Sequence, residues 1–131
     1  MSYPVEEIRS DDGSRLYKWL PPSKYNAELR KPHPEALVNI GLGMSTSWSR
    51  HCSAEECRAP CKRPHAMAVV SFSVADVRTI TTQEVRHTPK EWPNWPKQAG
   101  AHADVIGPKD VEVQVKLARF AAPEVERRTA D

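Results

Sequence analysis

No part of the 131-residue chain offers the ~18 consecutive apolar residues that a membrane-crossing helix needs, so a transmembrane helix is excluded. An excess of one charge is also lacking. Nineteen basic against seventeen acidic residues leave a net charge of +2, too balanced for a protein that binds nucleic acid mainly through its overall field. Cysteine is scarce, and an odd three cannot all pair with one another. The first residues, Met1-Ser2-Tyr3-Pro4-Val5-Glu6-Glu7, are acidic and have no apolar run, unlike a secretory leader. The expected compartment is therefore the cytoplasm, with the cysteines as thiols or metal ligands. Glycine is sparse at five residues while proline reaches twelve, and a backbone so often deprived of donors cannot form a bundle of long helices.

What is present points to strands. Valine, at twelve residues, outnumbers leucine and isoleucine together, and β-branched residues suit a pleated surface. The length supports one domain over residues 1–131, with weakly ordered ends at about 1–12 and 124–131. Arg15–Leu20, Ala36–Gly41, Met67–Val74, Glu84–Thr88 and His102–Ile106 read as short strands bounded by proline, glycine or polar turns. Met44–Trp48 reads as a continuation of the second beyond a glycine bend. In Met67–Val74, the residues Val70, Phe72 and Val74 share one face while Val69, Ser71 and Ser73 share the other. Ser53-Ala54-Glu55-Glu56 has the spacing of a capping box for a short helix ended by Pro60, and Ser73 is a second cap before Asp76. Val111–Ala122 fits both periods, but its length and the preceding Pro108 favour a helix closing over the sheet. The fold expected is α+β: a mixed sheet of about five short strands, a C-terminal helix packed on it, and long proline-rich loops.

Two segments concentrate unusual chemistry. The first runs from His51 to His65 and holds Cys52, Cys57, Cys61 and His65. Thiolates and imidazoles are the usual ligands of tetrahedral zinc, so these four are the candidate metal set and zinc the candidate cofactor. Their crowding into one loop departs from two separated pairs of close ligands, and three free thiols beside a broken helix is the competing reading. The second is Pro89–Gly100, a long loop with Trp92-Pro93 and Trp95-Pro96. Tryptophan stiffened by proline makes a good contact surface, so Trp92 and Trp95 are candidate partner-binding residues. Lys90 and Lys97 beside them leave single-stranded nucleic acid as a further ligand, although acidic neighbours dilute the patch.

Candidate catalytic groups flank that loop. His87 and His102 stand at strand ends, and Asp104 shares a strand face with His102 and can orient its ring. Arg50, or Lys109, is available for an anion. The stretch Gly43-Met44-Ser45-Thr46-Ser47-Trp48-Ser49-Arg50 resembles the Ser-Thr-Ser motif of the arginine–serine–glutamate ADP-ribosyltransferases. That resemblance implies a nicotinamide-dinucleotide site completed by an upstream strand arginine, for which Arg15 stands in place, and by a downstream glutamate. The nearest approach to the family's acid pair is Asp110-Val111-Glu112.

Two functions are therefore expected. One is a small binding or accessory domain whose Trp-Pro loop contacts a protein or small ligand. The other is a compact enzyme acting on a nucleotide or phosphodiester, by histidine chemistry or by NAD-dependent ADP-ribosyl transfer. Convergence of His87, His102 and Arg50 in one cleft is what the histidine mechanism requires.

Overall fold

The computed structural model describes residues 3–126. Six strands form one sheet: β1 (Arg15–Leu20), β4 (Met44–Trp48), β5 (Ala68–Ser73), β6 (Glu84–His87), β7 (His102–Ile106) and β8 (Ala122–Val125), in the order β6-β7-β4-β1-β5-β8. Every neighbouring pair is antiparallel. A separate ribbon pairs β2 (Tyr25–Asn26) with β3 (Lys31–Pro32). Among the described residues four helices accompany the sheet: α1 (Ala54–Arg58), α2 (Val74–Arg78), α3 (Pro96–Ala101) and α4 (Val111–Phe120). The α+β class and the C-terminal helix are as the sequence implies.

The sheet has one apolar face. Leu16, Leu20, Met44, Trp48, Val70, Phe72, Ala103 and Val105 are buried there against Val74 and Val77 of α2 and Val113, Leu117 and Ala118 of α4. Asp110 caps α4 by accepting the Val113 N–H at 3.0 Å, which settles the competing periods in favour of the helix. At the other end of the chain's helices, Ser53 and Glu56 close the reciprocal capping box of α1 at 3.1 and 2.9 Å. Gly43 is needed before β4, because a Cβ there would lie 2.6 Å from the Val105 carbonyl oxygen.

Two local readings require correction. Ala36–Gly41 is not a strand. It contains the end of a 3-10 turn, Pro34–Ala36, and then a loop in which Val38, Ile40 and Leu42 are exposed. Leu37 alone is buried in the core while Val38 and Ile40 are exposed, so the apolar run marks one anchoring residue in a loop and carries no strand signal. The Pro89–Gly100 loop is likewise shorter than its lack of periodicity implies, because Pro96 occupies the first turn of α3. At the chain's ends, Ile8 is buried in the core and β8 pairs with β5, while residues 127–131 lie outside the described part.

Candidate functional site

Strand alternation places the chemistry on the face opposite the core. Tyr17 on β1 stands opposite Ser47 on β4, which stands opposite His102 on β7. One step along, Ser45 stands opposite Asp104. Directly paired residues project from the same side of a sheet with Cβ atoms about 5 Å apart, so these polar side chains form two adjoining rows. A cavity of about 990 Å³ lies over them. Its lining includes Tyr17, Ser45, Ser47, His102 and Asp104 from the strands, together with Cys57, Pro60, Trp92, Pro93 and Trp95 from the segments that cover them.

The hydrogen bonds around His102 define its state. Its Nδ1 lies 3.0 Å from both the carbonyl oxygen and the hydroxyl of Thr88. The Thr88 hydroxyl has one proton, which it donates to Asp104 Oδ2 at 2.8 Å. Toward His102 it can then only accept, so Nδ1 carries the hydrogen. Burial pushes His102 below the ordinary imidazole range, against the opposing pull of Asp104. The result is a neutral ring whose Nε2 lone pair is not engaged by Nδ1's partners, held edge-on by Trp92 at 5.6 Å between ring centroids. Asp104 is 2% exposed, and its Oδ2 lies 3.9 Å from His102 Nδ1.

Cationic groups border the same space. Lys18 reaches the Ser45 carbonyl at 3.4 Å, and burial pushes its ammonium below the ordinary lysine range. Lys24 and Lys90 also line the cavity. Around the mouth, Trp19 (45%), Trp92 (42%), Trp95 (40%), Ile40 (76%) and Leu42 (60%) expose an apolar rim.

His102, Asp104, Trp92 and Trp95 are thus brought together, whereas the other sequence candidates go elsewhere. His87 is buried beside Trp48, accepting the Glu6 backbone N–H at Nδ1 (3.0 Å) and donating from Nε2 to the Gly100 carbonyl (2.7 Å). Both ring nitrogens are occupied. Arg50 stacks on Trp48 at 5.7 Å and lies 3.7 Å from Glu6. Neither His87 nor Arg50 lines the large cavity, so the convergence demanded by a His87–His102–Arg50 mechanism does not occur. Lys109 is likewise committed, donating to Asn39 and to the carbonyls of Val105 and Gly107.

The four candidate zinc ligands do not assemble either: among the described residues no three of them bring their donor atoms within 4.8 Å of one another, although Cys52 and Cys57 both hydrogen-bond Ser47. Cys52 and Cys57 are buried, Cys61 is half-buried and His65 is exposed on a separate 3-10 turn, Pro64–Ala66. Burial pushes the Cys52 and Cys61 thiols up to about 11 and Cys57 up to about 12. Among the described residues, the group whose donor atoms do approach one another is Glu6, His51 and His87, within 4.8 Å.

Of the residues implied by the Ser-Thr-Ser resemblance, Arg15 sits on the strand next to that motif. It donates to the Ser71 hydroxyl at 2.7 Å, and Ser71 in turn donates to Glu124. Glu112 is misplaced for a site: it is exposed on α4, which packs on the apolar face, and pairs with Lys116. The acid beside the Ser-Thr-Ser strand is Asp104. Sequence reasoning missed Lys18 and Thr88, whose positions depend on strand pairing and carry no motif. Comparison with protein-family models, with curated proteins and with solved structures gives no match for this chain.

Proposed function

We propose that the chain is a nucleotide-handling enzyme that takes a nicotinamide dinucleotide into the large cavity and transfers its ADP-ribosyl group. The observation that carries this reading is the register of three adjoining strands. It sets Ser45 against Asp104 and Ser47 against His102 beneath an aromatic wall, with Arg15 on the strand beyond. Cavities of roughly 300–1,000 Å³ lined by aromatic groups and a few convergent polar ones are typical of small-ligand sites.

Each residue then has a role that follows from its chemistry. Trp92 and Trp95 offer flat faces to a nucleobase or the nicotinamide ring. Lys18 and Lys90 supply charge for the pyrophosphate, and an anion beside Lys18 favours its protonated form. The glycosidic C–N bond breaks with its electrons leaving on neutral nicotinamide, and the Asp104 carboxylate stabilises the positive charge that develops on the ribose. As the acceptor forms its bond to the ribose carbon, its proton passes to His102 Nε2.

The test is nicotinamide release from NAD by the full chain, read chromatographically, together with quenching of tryptophan fluorescence on NAD addition. Asp104→Asn should bind NAD and lose about 100-fold or more of the release rate, the effect of removing one electrostatic group aimed at developing charge. The exposed tryptophans at the cavity mouth favour a second reading, a domain that binds a ligand without turning it over. Quenching without nicotinamide release selects that reading. Neither quenching nor release would eliminate the nicotinamide dinucleotide altogether.

A further inference from the structure

We propose that Glu6, His51 and His87 form a binding site for one divalent transition-metal ion, zinc being the ion of choice. The three come from separate parts of the chain: the segment before β1, the loop after β4, and the last residue of β6. Their donor atoms lie within 4.8 Å of one another, so side-chain rotation together with a shift of the Glu6 backbone N–H off His87 Nδ1 brings all three onto one ion. Two imidazoles and a carboxylate are the donor set of open zinc sites, whereas calcium and magnesium favour oxygen ligands alone.

The surroundings support the same assignment. The His87 Nε2–H donates to the Gly100 carbonyl at 2.7 Å, and an outer hydrogen bond of this kind orients a metal-binding imidazole. It leaves the Nδ1 lone pair directed at the Glu6 segment, where the Glu6 N–H now occupies it. His51 Nε2 and the Glu6 carboxylate hold a proton between them, and that proton is what a metal ion replaces. The His51 and His87 rings lie nearly parallel, 5.6 Å apart at 23°. A cavity of about 280 Å³ adjoins the three residues, with Tyr3, Pro4, Pro96, Lys97 and Gly100 completing its lining, and gives room for a fourth ligand. Arg50, 3.7 Å from the other Glu6 oxygen, competes for the carboxylate and is exposed enough to swing away. The site is separate from the large cavity and independent of the function proposed for it.

The experiment strips the full chain with a chelator and titrates it with zinc by calorimetry, with cobalt as a spectroscopic substitute. Trp48 packs edge-on to both histidines, at 5.1 and 5.2 Å, and supplies a fluorescence signal. One ion per chain is expected, with cobalt absorption lacking the thiolate charge-transfer band. His51→Ala should weaken zinc by more than the roughly 10–100-fold that follows loss of an outer-sphere partner. His51 is about a third exposed (33%), so this variant should fold, and its melting curve without metal checks that it does. Replacing Cys52, Cys57 and Cys61 with serine should leave the affinity unchanged. Zinc binding that survives His51→Ala and Glu6→Gln, that vanishes with the cysteines, or that is absent from wild type overturns the assignment.

Discussion

Thr88 is the residue whose removal most sharply tests the described site. Its hydroxyl donates to Asp104 Oδ2 at 2.8 Å and accepts from His102 Nδ1 at 3.0 Å, so one atom ties together the two groups assigned to the chemistry. Thr88→Val keeps the shape and deletes only that atom's hydrogen bonds. Because Asp104 is 2% exposed, water has little access to replace the lost donor. An unsatisfied buried acceptor costs about 1–3 kcal/mol, with charged groups at the upper end. For a domain of this size each kcal/mol moves Tm by about 3–5 °C, so a loss of about 3–15 °C is expected in thermal unfolding. The His102 tautomer should persist, since the Thr88 carbonyl still accepts from Nδ1. A double-mutant cycle of Thr88→Val with Asp104→Ala should return a coupling of about 1–2 kcal/mol, within the range of contacting pairs. If Thr88→Val lies within about 0.5 kcal/mol of wild type, as an ordinary surface substitution does, the Thr88 bridge does not satisfy Asp104 and the account of this site fails.

Two further outcomes follow from burial. Because His102 is held below the usual imidazole value, the unfolded chain binds its proton more readily than the folded chain. The stability this provides is complete above the ordinary value of about 6.5 and is lost as pH falls through the lower folded value. Denaturant unfolding as a function of pH should therefore show wild type losing stability more steeply than His102→Gln on the acid side, and parallel curves would contradict a buried neutral ring. For the thiols, Cys61 at about 11 is half-buried, so iodoacetamide should label it first but slowly, with a rate rising about tenfold per pH unit below that value. Cys57, pushed up to about 12, should react only after unfolding, and mass spectrometry showing rapid Cys57 labelling of native protein at neutral pH would refute its burial.

What the sequence discloses is mostly local. Ser53 with Glu56 and Ser73 with Asp76 each fix a helix start through bonds spanning three residues, and both form; in the structure the Asp110 cap of α4 is a third of the same kind. The strand Ala68–Ser73 is legible because its valines and Phe72 leave the core no other use for them. Local pattern misleads where apolar residues are exposed, as at Ile40 and Leu42, or where a proline begins a helix, as at Pro96. The metal-ligand reading shows a subtler limit. Cysteines close in sequence invite a shared ion, yet Cys57 points into the large cavity's wall while His65 stands exposed on another turn. Glu6, His51 and His87 have no spacing at all and meet only because the chain's first segment crosses the end of the sheet.

The order of the strands explains why the strongest sequence features end as parts of one site. β4 lies between β1 and β7, so the hydroxyls of its Ser-Thr-Ser stretch meet the histidine and aspartate of a strand formed much later in the chain. A sheet face carrying Ser45, Ser47, His102 and Asp104 cannot be closed by an apolar helix without burying their polar groups unpaired. The chain instead covers it with two proline-interrupted segments, whose Pro60 and Pro93 line the cavity and keep either wall from continuing as a long helix. Walls of that kind border a space without filling it. The prolines that first exclude a helical bundle are, in place, what keeps this polar face accessible to a ligand.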